Sequence, residues 1–267
     1  MKAAAIQMTS GRDIARNLEE AERLIAAARG AELVVLPENF SFLGAEDAER
    51  LAVAESPGQG PAQDFLVAQA RRHGLWLVGG TVPIRVEPER ACSRSLLIGP
   101  DGDCVAQYDK IHLFDVSVPG KEAESYRESA TTVDGTDVVA VPTPFGRVGI
   151  AVCYDLRFPA LFHRLSVVGV DVIAVPAAFT VPTGRVHWQP LLQARAIESL
   201  CYVVAAGQWG EHAGGRMTYG HSMVVSHWGQ VLAQRETGAG VVEADLDMIG
   251  LSDVRASFPV LDHRREL

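Results

Sequence analysis

The sequence predicts an α/β fold, a four-layer α-β-β-α sandwich with two mixed sheets. First, short apolar runs of strand length alternate along the chain with amphipathic helical patterns, which is typical of layered α/β proteins. Second, two runs joined by the turn at residues 99–102 form a hairpin, so the sheets must contain antiparallel as well as parallel pairs. Third, the pattern contains about ten to twelve strands, near the limit at which one open sheet splits into two packed sheets.

Each element follows from a local pattern. Ile14, Leu18, Ala21, Ile25 and Ala28 recur at steps of three and four, which predicts a helix with one apolar face. The run 33–36 is wholly apolar and ends at a proline, as a buried strand would. The predicted strands are residues 2–8, 33–36, 75–81, 93–98, 103–108, 147–152, 171–175 (ended by Pro176), 201–206, 222–226, 231–234 and 241–245. The predicted helices are residues 14–28, 61–73, 157–167 and 183–200, the last becoming regular near Gln189 because of Pro190. Residues 110–144 form a long polar stretch without a clear period, and such long loops are usually functional.

Composition narrows the class of protein. The 267 residues carry 24 Lys and Arg against 33 Asp and Glu, a net charge of −9, which disfavours a nucleic-acid or anionic-membrane partner. One domain spanning 1–267 fits this length. No apolar run reaches the roughly 18 residues of a membrane span, and the apolar start is too short for a signal peptide. The four cysteines form no C-x-x-C pair, so we expect free thiols in a reducing cytoplasm.

Two charged side chains stand just beyond predicted strands, where catalytic groups of α/β proteins tend to lie. Glu38 follows the run 33–36, and partial desolvation there would make it a better general base. Lys110 follows the strand 103–108 among apolar neighbours, where it could place a fixed positive charge in a dry site. From these segments alone, a surface glutamate in a turn and a lysine covering apolar surface with its stem remain open.

Cys153 differs from the other cysteines in its position. It stands where the strand 147–152 passes into a helix, and a helix N-terminus favours both a thiolate and an oxyanion. A buried small hydrophobe is the alternative interpretation. Cys92, Cys104 and Cys201 lie inside apparent strands, so we interpret them as structural or incidental.

Other patterns give weaker signals. His221 and His227 could face one side of a strand, but no metal motif accompanies them, so we predict no metal. The segment 220–224 is similar to a serine nucleophile elbow but lacks its last glycine. No dinucleotide fingerprint or phosphate-binding loop is present, so we predict no cofactor.

Together, the segments around Glu38, Lys110 and Cys153 resemble the nitrilase superfamily of carbon–nitrogen hydrolases, whose Glu–Lys–Cys triad maps onto these residues in the same chain order. The resemblance extends over essentially the whole chain and is closest to the Nit branch. It implies a supporting glutamate at Glu128 and an oxyanion donor at the backbone N–H of Tyr154. Further matching segments are residues 126–129, 182–184 with 187–188, 195–198, 219–225 and 228–229.

The resemblance implies a cysteine-dependent amidohydrolase that releases ammonia from a small, carboxylate-bearing linear amide, with deaminated glutathione as the expected substrate. An omega-amidase for 2-oxoglutaramate-like amides, an N-carbamoyl hydrolase, a nitrilase and a catalytically silent scaffold remain alternatives. Gln189 and Gln193 depart from the branch pattern and leave the substrate open. The resemblance also implies a homodimer or higher homo-oligomer, with the tail 247–267 at the interface. The expected substrate contacts are Phe179, Thr180, Arg157, Arg185 and His187. Arg195 is a further candidate for a substrate carboxylate, but its spacing favours a structural pair with Glu198.

Overall fold

The computed structural model of the chain describes residues 1–46, 48–118 and 124–265. The predicted loop 110–144 and the predicted interface tail 247–267 therefore each include residues that lie outside this description. Across the described ranges, no helix has the length and apolar character needed to cross a bilayer.

Eighteen strands lie in the part of the chain that the structure describes. In chain order they are β1 (Lys2–Gln7), β2 (Leu33–Val35), β3 (Trp76–Val78), β4 (Val82–Glu87), β5 (Arg90–Ile98), β6 (Cys104–Asp109), β7 (Asp115–Val118), β8 (Glu124–Arg127), β9 (Thr132–Val133), β10 (Ala140–Thr143), β11 (Gly146–Ile150), β12 (Val172–Ala177), β13 (Tyr202–Gly207), β14 (Trp209–Glu211), β15 (Met217–Tyr219), β16 (Ser222–Val225), β17 (Val231–Arg235) and β18 (Gly240–Asp245).

The α-helices of the same ranges are α1 (Ile14–Ala27), α2 (Glu49–Ala52), α3 (Pro61–His73), α4 (Pro159–Val167), α5 (Val181–Thr183), α6 (Gln189–Ser199) and α7 (Met248–Ser257). Short 3₁₀ helices lie at Glu128–Ala130, Cys153–Arg157 and Ala213–Gly215. A π-helical turn, Gly184–Trp188, separates α5 from α6, so the regular helix begins at Gln189 as predicted.

Two mixed sheets form the centre of the molecule. The first has the order β18-β1-β2-β3-β5-β4, and β6 and β9 also pair with β5. The second has the order β10-β11-β12-β13-β16-β17. The parallel pairs β1–β2–β3 and β11–β12–β13 lie at the middle of each sheet, and antiparallel strands flank them. This arrangement confirms the prediction of two mixed sheets.

The two sheets pack face to face through their central strands, and β1 shows how the sequence directs this. Its side chains alternate between the two faces of the sheet, as a period of two requires. Ala3 and Ala5 belong to the core shared with the second sheet, whereas Ala4 and Ile6 belong to the core beneath α1 and α3. Helices α4 and α6 pack together over the second sheet. The layers are therefore helix, sheet, sheet, helix, and the predicted sandwich is confirmed.

Several predicted boundaries were wrong. The stretch 110–144 contains β7 to β10 rather than irregular chain alone. Strand β4 was not predicted; it contains Pro83, which is tolerated because β4 is the terminal strand of its sheet. The predicted strand 75–81 ends at Val78.

Strand β12 continues through Pro176 to Ala177 instead of ending there. The backbone of Ala174 faces β11, since its carbonyl accepts from the N–H of Ala151. Pro176, two residues further, faces the same way but lies beyond the last residue of β11 that pairs with β12, Ile150. The missing N–H therefore costs no ladder hydrogen bond.

Candidate active site

The three sequence-predicted triad residues meet in one cavity. Glu38 lies just after β2, Lys110 directly after β6 and Cys153 shortly after β11. All three, together with Glu128, line a cavity with an empty volume of about 490 Å³. The topology achieves this because strands of both sheets end at the same side of the sandwich.

Glu38 is held through its own backbone and that of its neighbours. Gln208 donates from Nε2 to the Glu38 carbonyl at 3.0 Å, and the N–H of Asn39 donates to Oγ1 of Thr81 at 2.9 Å. The chain at Gly80 has a φ of +51°, and a Cβ there would lie 2.1 Å from the carbonyl oxygen of Pro37. Only glycine fits this close approach, so β3 ends before it and leaves room for the glutamate turn.

Lys110 connects the two carboxylates of the cavity. Its Nζ donates to Oε1 of Glu38 and to Oε2 of Glu128, each at 2.8 Å. The lysine is only 2% exposed. Burial alone would lower the pKa of Lys110, but the charges of Glu128 and Glu38 outweigh it and raise that pKa. The ammonium therefore stays protonated as a fixed cation.

Glu128 is held in turn by several donors. Its Oε2 also accepts from the backbone N–H of Phe114 at 2.8 Å. Burial would raise the pKa of Glu128, but Lys110 and Arg50 overcome this and hold the pKa well below its usual range. Glu128 is therefore an ionised carboxylate that orients the lysine.

Cys153 stands at a strained position of the backbone. Its φ is +48°, an uncommon value for a non-glycine residue, and it begins the 3₁₀ helix Cys153–Arg157. The buried carboxylate of Asp155 holds this turn, because its Oδ2 accepts from the N–H of Val152 at 2.8 Å and from the Tyr108 hydroxyl at 2.7 Å. Such over-determined strain is typical of a nucleophile presented on a strand-to-helix turn.

The surroundings of the Cys153 thiol favour its protonated form. Burial raises the pKa of this thiol well above its usual range, and the Glu38 carboxylate raises it further. The Lys110 ammonium and a contact with the Ala178 backbone oppose the rise in part. A resting thiol beside a carboxylate needs that carboxylate as a base before it can attack.

Arg195 supports the turn that follows Cys153 from outside the cavity. Its Nε and Nη2 donate to the carbonyl of Leu156 at 3.0 and 2.6 Å, and its Nη1 donates to Oε1 of Glu198 at 2.8 Å. Arg195 does not line the cavity. The geometry matches the structural pair that the helical spacing favoured, and it anchors the 3₁₀ helix as well.

The other thiols have different surroundings. Burial raises the pKa of both Cys92 and Cys201 to about 12, so neither forms a thiolate readily. Cys104 is exposed on β6, and Cys201 directly precedes β13 rather than lying inside it. Ser222, in the elbow-like segment, is fully buried and accepts from the N–H of Gly207 at 2.8 Å. It is a backbone partner.

His221 and His227 lie at opposite ends of β16 and contact different rings. His221 stacks on Tyr219 with centroids 3.8 Å apart, and His227 meets Tyr202 edge-on. Among the described residues, no three His, Cys, Asp or Glu side chains form a metal-binding group.

Most of the predicted substrate contacts lie at the part of the cavity around Arg157, which we call its mouth. Tyr154, Arg157, Phe179 and Thr180 line the cavity, and His187 lies beside it with Nδ1 3.1 Å from Nη1 of Arg157. The Arg157 guanidinium lies over the rings of Phe179 and Tyr154, 5.3 and 5.7 Å from their centroids. Arg185 is exposed and does not line the cavity.

Sequence reasoning missed a further set of lining residues. They are Asn39, Arg50, Phe114, Tyr126, Ala178, Thr183 and Arg216. Asn39, Phe114, Tyr126 and Thr183 lie within segments already singled out, so a whole-segment interpretation would have included them. Arg50 and Arg216 lie in no motif, and only the tertiary structure brings them to the cavity.

Comparison with known proteins identifies the family. The carbon–nitrogen hydrolase family model matches residues 2–256. The chain belongs to the carbon–nitrogen hydrolase family. It is 45% identical to a deaminated glutathione amidase of Synechocystis over 98% of this chain and 97% of that protein.

Two solved structures of the same superfamily have the same fold. The crystal structure of the Caenorhabditis elegans NitFhit protein has a TM-score of 0.90 at 38% identity, and the match covers 99% of this chain and 65% of that one. Saccharomyces cerevisiae Nit3, a member of branch 10 of the nitrilase superfamily, has a TM-score of 0.88 at 29% identity over 100% and 97% of the two chains. The likeness to the nitrilase superfamily expected from the sequence is confirmed, and the chain is a carbon–nitrogen hydrolase.

Proposed function

We propose that this carbon–nitrogen hydrolase cleaves the amide bond of deaminated glutathione, with Cys153 as nucleophile, Glu38 as general base and Lys110 as electrostatic catalyst. The observation that carries the proposal is the Lys110 ammonium, which bridges two buried carboxylates in the cavity that Cys153 lines. The substrate is favoured by relatives named deaminated glutathione amidase at 40–45% identity.

In the first half of the reaction, Glu38 accepts the proton of the Cys153 Sγ as sulfur attacks the amide carbonyl. The carbonyl oxygen becomes an oxyanion, which the Lys110 ammonium and the backbone N–H of Tyr154 stabilise. Tyr154 lies in the first turn of a 3₁₀ helix, where N–H groups have no acceptor within the helix. Each such donor contributes about 3–4 kcal/mol in comparable sites. Glu38 then returns the proton to the nitrogen, the C–N bond breaks, and a thioester remains.

In the second half, a water molecule hydrolyses the thioester. Glu38 is again the nearest base, so it takes a proton from the water and passes it to the departing Cys153 sulfur. Glu128 keeps the Lys110 ammonium in place during both steps through its 2.8 Å hydrogen bond. The cycle restores the thiol and the carboxylate and consumes one water.

The leaving group depends on the substrate. Ammonia leaves from a primary amide such as 2-oxoglutaramate. In deaminated glutathione, the nitrogen of the corresponding amide belongs to cysteinylglycine, so cysteinylglycine leaves and 2-oxoglutarate remains on the acyl side. The release of ammonia expected from the sequence is therefore wrong for this substrate and applies to primary amides. The products therefore distinguish the two activities directly.

The mouth supplies cations for the carboxylates of such a substrate. Arg157 offers its guanidinium at the cavity, with rings on one side and His187 on another. A guanidinium binds a carboxylate through two parallel hydrogen bonds, which fixes its orientation. This local charge offsets the repulsion between the net charge of −9 and an anionic substrate.

Parallel assays test the proposal. Purified protein is incubated with deaminated glutathione, 2-oxoglutaramate, a carbamoyl amino acid and a nitrile. Cysteinylglycine is quantified by its newly freed α-amino group and ammonia by an enzymatic assay. We expect the largest kcat/KM for deaminated glutathione, with release of cysteinylglycine. A larger kcat/KM for another compound would reassign the substrate, and no turnover of any would favour a catalytically silent scaffold.

We also propose that two chains associate through the C-terminal region. Ile249, Trp228 and Phe258 are 78%, 55% and 49% exposed, and the last two rings meet edge-on at 5.6 Å. Exposed apolar patches of this kind are typical of interfaces. Sedimentation is expected to show a dimer at micromolar concentration, and a Trp228→Glu substitution should weaken it. A wild-type monomer under those conditions would refute the association.

A cytoplasmic location completes the proposal. A reducing compartment keeps thiols free, and all four cysteines are free in the structure. Cell fractionation would test this, and recovery of the protein from an oxidising compartment would contradict it.

A further inference from the structure

A second buried cation lies behind Glu128. Arg50, on the short helix α2, is only 9% exposed and lines the catalytic cavity. Its Nη2 donates to Oγ of Ser93 at 2.6 Å, and its Nη1 donates to Oγ1 of Thr132 at 3.2 Å and to Oε1 of Glu128 at 3.4 Å. Arg50 therefore contacts the carboxylate oxygen that Lys110 leaves free.

The charges of the buried cluster balance only when Arg50 is counted. Ionised Glu38 and Glu128 contribute two negative charges, protonated Lys110 contributes one positive charge, and the Cys153 thiol is neutral. The triad with its supporting glutamate is thus net −1, and Arg50 brings the total to zero. An uncompensated buried charge is costly, and a protein usually relieves it by taking up a proton.

We propose that Arg50 is a positioning residue that neutralises Glu128 and thereby keeps Glu38 ionised as the general base. The inference rests on the proposed function, because it takes Glu38 to be that base. It assigns to Arg50 an effect on the pH range of activity that acts through Glu128 and Lys110.

The hydrogen bonds indicate which carboxylate would take up a proton if Arg50 were neutral. Glu128 would keep donors at the Lys110 ammonium, the Phe114 N–H and the Ser93 hydroxyl. Glu38 has the Lys110 ammonium, and it faces the Cys153 thiol. The proton would therefore go to Glu38, the carboxylate with less support, and the base would be lost.

The other ionisable groups that line the cavity are Arg157, Arg216, Tyr126 and Tyr154. Arginine stays protonated and tyrosine stays neutral between about pH 5 and pH 8. An acidic limb that moves when the charge of Arg50 is removed therefore belongs to the carboxylate cluster, which titrates as a coupled unit. His112 and His187 contact Asp155 and Arg157 rather than this cluster.

The test measures alkylation of Cys153 by iodoacetamide against pH, read by mass spectrometry, beside the pH profile of kcat. In Arg50→Gln, which keeps an amide donor but removes the charge, we expect the acidic limb to move to higher pH by about one unit. At a fixed pH on the acidic limb of the wild-type profile, the alkylation rate should fall about tenfold, whereas KM should change little. Arg50→Lys should restore most of the wild-type limb.

A control that loosens the attachment of α2 separates the effect of the Arg50 charge from the effect of anchoring this helix. Arg12 pairs with Glu49, which is the neighbour of Arg50 on α2 but does not line the cavity. Arg12→Gln should leave the limb in place. An equal shift in Arg12→Gln, or an unshifted limb in folded Arg50→Gln, would overturn the inference.

A second variant decides the question even if Arg50→Gln does not fold. Glu128→Gln leaves the cluster with net charge +1, so its acidic limb should move to lower pH, and the opposite direction would overturn the inference. Failure of the proposed function is distinguishable, because it would appear as absence of preferential Cys153 alkylation in the wild-type protein.

Discussion

The floor of the candidate active-site cavity, formed by Lys110, Glu38 and Glu128, and its mouth around Arg157 are built by different means. On the floor, Lys110, Glu38 and Glu128 are 2%, 4% and 6% exposed, and hydrogen bonds of 2.8 Å join their charges. At the mouth, Arg157 is only partly buried and His187 is exposed. Arg157 lies over the faces of two aromatic rings and forms a hydrogen bond with His187, so its contacts are not ion pairs.

The difference indicates a division of labour. The floor charges are held in one arrangement by opposite charges on several elements, as preorganised electrostatic catalysis requires. The mouth cation has no carboxylate among its contacts described above, so its charge is available to a substrate. Substitutions on the floor should therefore lower kcat, whereas substitutions at the mouth should mainly raise KM.

The largest expected effect is on the floor. Cys153→Ala should lower kcat at least about 10⁴-fold, because no other group can form the thioester. The fold should persist, since the change removes one sulfur atom and breaks no ion pair. Circular dichroism and product release would measure both. Cys104→Ala, at the exposed thiol on β6, is the matched control and should retain wild-type turnover. Wild-type turnover by Cys153→Ala would remove the covalent mechanism.

A smaller effect is expected at the mouth. Arg157→Gln should raise KM for an anionic amide about tenfold while kcat changes less, because charged hydrogen bonds contribute about 1.5–3 kcal/mol. Initial rates over a range of substrate concentrations separate the two parameters. Arg185→Gln, exposed and outside the cavity lining, should behave as wild type. If Arg157→Gln lowered kcat as strongly as Cys153→Ala does, the separation of floor from mouth would be wrong.

Strand ends singled out three floor or neighbouring residues as candidates, and the resemblance to the nitrilase superfamily joined them as a triad and added Glu128. Glu38, Lys110 and Cys153 each follow an apolar run, and the ends of such runs in a layered sheet fold meet at one side. The alternation of apolar runs with helical periods likewise specified the layers. These signals are local, so they survive without knowledge of tertiary contacts.

The remaining features depend on tertiary contacts that no local pattern encodes. Arg50 lies on a four-residue helix with no motif, and only the fold brings it to Glu128. Arg185 and Arg157 were equally plausible from their charge, yet only Arg157 lines the cavity. Pro176 misled the predicted end of β12, because proline is compatible with a strand wherever its missing N–H faces no partner.

His212, a buried ionisable residue outside the site, can be compared with the floor residues. Its hydrogen-bond partners carry no opposite charge. His212 is 6% exposed, with Nδ1 2.8 Å from the Ser10 carbonyl and Nε2 2.6 Å from Oγ1 of Thr218. Burial lowers the pKa of His212 from 6.5 to about 4; the Ser10 carbonyl opposes this in part, and the Arg216 charge adds to it. On the floor, opposite charges keep buried groups ionised, whereas here burial keeps a group neutral.

The consequence is a pH dependence of stability with a defined sign. Between pH 6.5 and about 4 the unfolded chain binds a proton at this histidine that the folded chain does not, so the free energy of unfolding falls as pH falls. Between pH 7 and pH 5 this contribution is about 2 kcal/mol. Urea unfolding at both pH values should show a smaller difference in His212→Gln than in the wild type. His73→Gln, at the exposed end of α3, is the control and should keep the wild-type difference. If His212→Gln also kept the wild-type difference in the free energy of unfolding, the acid sensitivity would belong to other groups.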